Sequence, residues 1–189
     1  MFDHFGFLAP YYDRVFGPPD PGPLRDLLRL PVNGRLLDAG GGTGRVSSQL
    51  IPYVDELVIS DVSTKMLRQT MKKGHCRPTA AHVERLPFPD ESFERVLVVD
   101  ALHHFADQQE ALVELVRVLK PGGRLVIEEP DLRRVAVKMV ALAEKAMLMQ
   151  SHFFYPREIR EMLAALGVTV EVVRGESFAS WVVAEKVVK

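Results

Sequence analysis

Four glycines fall within five residues, at Gly40, Gly41, Gly42 and Gly44, directly after the apolar run Leu36-Leu37 and the acid Asp38. Such a stretch reads as a strand, a tight turn and the start of a helix, with side chains removed where they would obstruct a ligand. Glycine tolerates positive φ and lets backbone N–H groups come close to a bound molecule. The N–H groups around Gly40–Gly44 suit a carboxylate, while Asp38 and, further on, Asp100 can favour an ammonium group. Asp61 ends the next apolar run, roughly 20 residues beyond the turn, where a carboxylate can accept from both hydroxyls of a ribose. Val62 follows it as an apolar face for adenine, with Met66 nearby. Nicotinamide dinucleotides and S-adenosylmethionine share that ribose contact. The dinucleotide fingerprint, however, needs a third glycine three places after the second. Arg45 stands there, and the glycine falls at 44 instead. A purely structural turn is the remaining reading.

His103-His104 follow the fourth apolar run. Histidine is the natural base near neutral pH for a phenol or hydroxyl acceptor, and a loop histidine bonded to a backbone carbonyl is the plainer reading. Tyr12, with Tyr11, His152 and Tyr155, is a weaker candidate for the acceptor side. Glu128, Glu129 and Asp131 cluster after the fifth run without a visible ligand set, so no metal is expected.

The elements that must position these residues alternate as in an α/β protein. Strands are expected at Arg35–Ala39, Glu56–Asp61, Pro78–Val83, Arg95–Asp100 and Arg124–Glu129. Helices are expected at Leu24–Leu30, Thr43–Ile51, Ser63–Lys73 with Ser63 as N-cap, Gln108–Leu119 and Arg157–Leu166. Val168–Arg174 and Ser180–Val188 have hairpin spacing, which adds an antiparallel strand to a parallel sheet. Residues 1–32 form an aromatic, then Pro/Gly-rich arm and a covering helix. The tyrosines of the arm either pack on the core or face the ligand cleft.

At 189 residues the chain fits one domain spanning 1–189. Lys+Arg 24 against Asp+Glu 25 leaves a net charge of −1, which gives no general attraction to nucleic acid or anionic lipid. The single cysteine, Cys76, excludes an internal disulfide. Neither a signal peptide nor an apolar run of spanning length is visible, so the expected location is the cytoplasm, with no membrane partner.

The D-x-G-x-G-x-G pattern from Asp38 to Gly44 resembles motif I of the class I S-adenosylmethionine-dependent methyltransferases. Four further segments resemble the group related to ubiquinone/menaquinone-biosynthesis enzymes. These are Asp61-Val62-Ser63-Thr64-Lys65-Met66-Leu67, the run from Val83 through Leu86-Pro87-Phe88-Pro89-Asp90 to Glu94, Leu102-His103-His104-Phe105, and Leu119-Lys120-Pro121-Gly122-Gly123-Arg124-Leu125. The likeness covers roughly residues 33–130. It implies a Rossmann-like doubly wound seven-stranded sheet of order 3-2-1-4-5-7-6, strand 7 antiparallel, with helices on both faces. It also implies S-adenosylmethionine as cofactor and methyl transfer to a small-molecule acceptor. The cofactor residues it suggests are Asp38, Gly40, Gly41, Gly42, Gly44, Asp61, Val62, Met66, His82, Val83, Asp100 and Ala101. His82 departs from the family's Asp, which accepts from the adenine amino group. Imidazole can still accept through one nitrogen, or it can point away and leave the ring to the backbone of Val83. Residues 131–155 form a variable cap. Its nearly apolar helix, rich in methionine, is expected in the core, against a second copy in a homodimer, or over a partly apolar acceptor. A non-catalytic S-adenosylmethionine sensor and an NAD-linked oxidoreductase are the alternatives.

Overall fold

The computed structural model describes residues 20–130, 153–174 and 179–188. Tyr11, Tyr12, Asp131, His152 and the cap helix lie outside these residues. Seven strands form one sheet, ordered β3-β2-β1-β4-β5-β7-β6. They are β1 (Arg35–Ala39), β2 (Glu56–Asp61), β3 (Cys76–Ala80), β4 (Phe93–Val99), β5 (Leu119–Pro130), β6 (Val168–Arg174) and β7 (Ala179–Lys186). Strands β1 to β5 are parallel to one another, and β7 pairs antiparallel with both β5 and β6. This is the expected order, and the short 168–188 hairpin is what inserts the reversed strand.

Side chains alternate across the sheet because the strand period is two. Leu37, Val96, Val98, Leu125 and Ile127 face one core, which α3 (Gln108–Val118) and α4 (Pro156–Ala165) cover. Leu36, Leu57, Ile59, Leu97 and Val126 face the other, under α1 (Gly22–Leu27), a 3-10 helix at Ser47–Tyr53 and α2 (Thr64–Thr70). Central strands closed on both faces account for the unbroken apolar runs in the sequence.

β5 begins at Leu119 rather than Arg124 and α2 ends at Thr70 rather than Lys73, and three further boundaries differ from expectation for local reasons. The Thr43–Ile51 segment is not an α-helix. Gly44 sits at φ 68°, which prolongs the turn, and Pro52 carries no N–H for an α-type ladder, so a 3-10 helix forms at Ser47–Tyr53. β3 stops at Ala80 because its partner β2 ends at Asp61, in register with it, and Val83 opens a 3-10 turn instead. α1 ends early because Arg29 takes a left-handed conformation, φ 51°. Ser63 caps α2 as expected, its hydroxyl accepting from the Met66 N–H at 3.4 Å. Among the described residues no helix is long and apolar enough to cross a membrane.

Candidate active site

The site lies along the edge where β1, β2, β4 and β5 end. At β1 the chain turns sharply through the glycines, and their N–H groups have partners within the protein. Gly40 and Gly41 both donate to the Ser60 carbonyl, at 2.8 and 3.1 Å, and Gly44 donates to Gly41 at 2.8 Å. Gly42 donates to Asp61 Oδ2 at 2.9 Å. The expected cradle of N–H groups for a carboxylate is therefore not formed at these four positions: the donors hold the turn in shape. What the glycines supply is absent volume. A Cβ on Gly41 would lie 2.2 Å from Asp38 Oδ2, and one on Gly40 would lie 2.8 Å from the Ala101 Cβ. Thr70 of α2 clamps the loop from outside, its hydroxyl donating to the Gly42 carbonyl at 2.9 Å.

Asp38 is 2% exposed beneath this loop. Burial pushes its carboxyl up to about 7; the neighbouring Ser47 hydroxyl pulls the other way, and the charge of Asp61 adds to the rise. The Ser47 hydroxyl is close but lacks a well-formed hydrogen bond, so its help is partial. Asp61 behaves differently. It sits at the rim, half-buried, and both oxygens are held: Oδ1 accepts from Ser63 N at 2.7 Å and Oδ2 from Gly42 N. A carboxylate so fixed keeps lone pairs for further donors, since each oxygen accepts more than once. Val62, the next residue, is an apolar side chain 59% exposed at this rim. Met66 and Val83, by contrast, are 4% and 3% exposed, and both are packed into the protein. The His82 side chain is 75% exposed, its Nδ1 3.9 Å from Glu84.

At the end of β4, Asp100 adopts φ 49° and donates its N–H to Glu128 O at 3.0 Å. Its side chain is open to solvent by surface area yet crowded by protein. Partial withdrawal from water, then the charges of Glu128 and Glu129, push its carboxyl up to about 6. The repulsion between acids is the firmer cause at so accessible a tip. Ala101 is buried behind it.

His103 lies in the 3-10 turn Leu102–His104 and is 4% exposed. It does not bond a backbone carbonyl through Nδ1. Instead Nδ1 meets Glu129 Oε2 at 2.6 Å, while Glu129 Oε1 accepts from Leu102 N at 2.9 Å. The Phe153 ring stacks on the imidazole at 4.2 Å, and the His104 ring lies 4.0 Å away. Burial, then the neighbouring His103, lower His104 to about 4, so it is neutral at physiological pH. Glu128 projects from the opposite face of β5 and accepts from Trp181 Nε1 at 2.7 Å. Glu128 and Glu129 thus diverge rather than converge.

The segment around Leu86-Pro87-Phe88-Pro89-Asp90 owes its shape to α3. Arg117 donates to the carbonyls of Leu86 and Phe88 and to Asp90, and Glu114 accepts from Leu86 N at 2.8 Å. Hydrogen bonds donated to Glu114 and Asp90 raise the Arg117 guanidinium, and Arg117 in turn lowers Glu114. Glu84 accepts from Ala106 N and Asp107 N at 2.7 and 3.2 Å, tying this segment to the histidine turn.

Sequence reasoning missed Glu129 as the partner of His103, and Phe153 altogether. The signal for Glu129 was its parity with the core-facing Leu125 and Ile127 on β5.

A loop emptied of Cβ atoms at the end of β1, a rim carboxylate at the end of β2 and this strand order define the S-adenosylmethionine-dependent methyltransferase fold of class I. The comparisons agree: residues 37–127 match the family described as "Methyltransferase domain". Over that stretch the chain is similar to the class I S-adenosylmethionine-dependent methyltransferases, and it is similar to the ubiquinone/menaquinone biosynthesis C-methyltransferases. It is 36% identical over 105 residues to the ubiquinone/menaquinone biosynthesis C-methyltransferase UbiE of Stutzerimonas stutzeri, a match covering 50% of this chain and 41% of that protein. The match spans about two fifths of the relative's length. Among solved structures, the YcgJ protein of Bacillus subtilis aligns with TM-score 0.73 at 25% identity, covering 82% of this chain and 70% of that one. A SAM-dependent methyltransferase of Thermotoga maritima, titled a possible histamine N-methyltransferase, aligns with TM-score 0.79 at 23% identity over 98% and 100% of the two chains. The latter likeness is one of fold.

Proposed function

We propose that this chain transfers a methyl group from S-adenosylmethionine to a small-molecule acceptor at the edge where β1, β2, β4 and β5 end. The observation that carries the reading is Asp61, held by two backbone N–H groups beside the exposed Val62. That pairing suits an adenosine, with ribose hydroxyls donating to the carboxylate and adenine resting on valine. When bound, the cofactor supplies a methyl group on a positively charged sulfur, already activated for in-line displacement. The protein's part is then to hold the acceptor in line, at roughly 3 Å, with water excluded. Asp100 presents negative charge toward the cleft, which favours a cationic ligand end. Glu129 accepts from His103 Nδ1–H in this reading and makes Nε2 the nitrogen that takes the acceptor's proton. His103 serves as the base in this reading, and His104, neutral and poorly basic, packs against it. Tyr12 and residues 131–155 belong to the acceptor side, and the whole chain acts as one cytoplasmic catalytic unit.

Calorimetry with S-adenosylmethionine and with NAD tests the cofactor. Wild type binds the first and not the second. Asp61→Asn replaces one accepting oxygen by an NH2 group facing a backbone N–H, at a loss of roughly 10–100-fold in affinity, the scale of one charge-assisted hydrogen bond. Unchanged affinity in that variant would defeat the ribose assignment. The near-complete burial of His103 favours a second reading, a binding protein without turnover. Cofactor binding with no S-adenosylhomocysteine formed across a broad acceptor panel would select it.

A further inference from the structure

On the same edge of the sheet, at β6, two strands beyond β5, lies an open groove of about 490 Å³ lined by Tyr155, Pro156, Arg157, Arg160, Val172 and Arg174. Its place relative to His103 follows from register. Ser180 of β7 is paired on one side with Glu129 and on the other with Arg174. Residues paired in this way project from one face, as Ile127, Val182 and Val172 do two positions back. Glu129, the partner of His103, and Arg174 therefore stand in one row on one face, two strand spacings or roughly 10 Å apart. The other wall begins at Phe153, which stacks on His103, and reaches Pro156 within three residues, a span of at most roughly 10 Å.

The charges of this groove are unusual for where they sit. Arg157 and Arg160 occupy the first turn and a half of α4, the end at which the helix dipole is positive and acids are preferred. The acid that is there, Glu158, is engaged with the Tyr155 N–H at 2.7 Å. Among the described residues Arg157 meets Glu161 alone, at 3.6 Å between highly exposed side chains, a contact of little strength. Among the described residues, Arg160 and Arg174 have no carboxylate partner. Three arginines and a helix N-terminus thus line one groove, two of the arginines without a carboxylate partner among the described residues, beside an aromatic ring 45% exposed and an aliphatic side chain. Guanidinium forks bind carboxylate and phosphate oxygens in pairs.

We infer that the groove binds an anionic oxygen group, carboxylate or phosphate, borne by the methyl acceptor, with Tyr155 and Val172 against the acceptor's apolar body. The inference rests on the methyl-transfer reading for the word acceptor, while the anion site itself does not. An acceptor seated this way carries its anionic group on the order of 10 Å from the atom that faces His103.

The test uses the full chain and two probes, 4-hydroxybenzoate and inorganic pyrophosphate, titrated by calorimetry into wild type and Arg160→Gln/Arg174→Gln. Both substituted side chains are exposed, and thermal melting controls for the fold of the variant. Saturable binding weakened about tenfold or more in the double variant supports the site. Response to the benzoate alone assigns a carboxylate, response to pyrophosphate alone assigns a phosphate, and response to both assigns the shared anion chemistry. No saturable binding of either probe, or binding that the double variant leaves unchanged, overturns the inference. S-adenosylmethionine is titrated into the same samples. Its failure to bind would defeat the methyl-transfer reading while leaving the anion result to be judged separately.

Discussion

Asp38 makes stability of this fold depend on pH in a direction opposite to that of a paired carboxylate. An aspartate whose folded pKa is raised holds its proton in the native state after the unfolded chain has lost its own. Stability is then full below the unfolded value of 3.8, falls as pH rises, and levels off above about 7. The difference, about 3 units at 1.36 kcal/mol each, amounts to roughly 4 kcal/mol as an upper bound. Replacement by asparagine keeps the shape and removes the ionisation. The introduced amide has its own packing cost, but that cost does not vary with pH, so it cancels in a comparison of pH values. Urea unfolding of wild type and Asp38→Asn, followed by circular dichroism from pH 4.5 to 8, measures the quantity directly. The variant is expected to gain about 2–4 kcal/mol on wild type between the two ends of that range, nearly all of it below pH 7.5. A difference that stays constant within about 0.5 kcal/mol, or that shifts in favour of wild type as pH rises, refutes the assignment of a protonated acid under the loop.

Two further substitutions probe the loop and the histidine. Gly41→Ala brings a Cβ within 2.2 Å of Asp38 Oδ2 and 2.9 Å of Ile59 Cγ2, so a loss of about 1–3 kcal/mol in urea unfolding is expected. Gly41 does not adopt a left-handed φ, so backbone strain adds nothing to this loss, and a change below about 0.5 kcal/mol would show that space under the loop is not the constraint. Glu129→Gln leaves a single accepting oxygen where two donors, Leu102 N and His103 Nδ1–H, are now served, and it removes the charge, which lowers the basicity of the imidazole. Turnover should fall with its acidic limb shifted to lower pH, and cofactor affinity should stay level. A uniform loss at every pH with an unmoved limb would reduce Glu129 to a structural role.

Reading the sequence located the strands and the final hairpin because the evidence for them was local, while the order of the sheet was implied by the family resemblance. Buried parallel strands are apolar on both sides, Ser63 offers a cap, and two strands a few residues apart leave room only for a hairpin. Asp61 was legible for the same reason: an acid ending an apolar run announces a strand's exit. The pairing of His103 with Glu129 was not, because it joins two strand ends 26 residues apart whose adjacency and parity only the register fixes. The loop donors were misjudged on similar grounds. That Gly40 and Gly41 would both turn back to Ser60 depends on β2 lying beside β1, in register with Ala39 opposite Ser60.

These two long-range facts bear on each other. The loop is gripped from below by Asp38, against which Gly41 lies with no room for a side chain, and from the rim by Asp61 through Gly42 N. Both acids stand on the same face of adjacent strands, so protonation of the buried one relieves repulsion on the one at the rim. Burial is the larger cause of the raised Asp38 carboxyl and the charge of Asp61 adds to it, so the acid beneath the loop and the acid at its rim are coupled through space as well as through the glycine backbone between them.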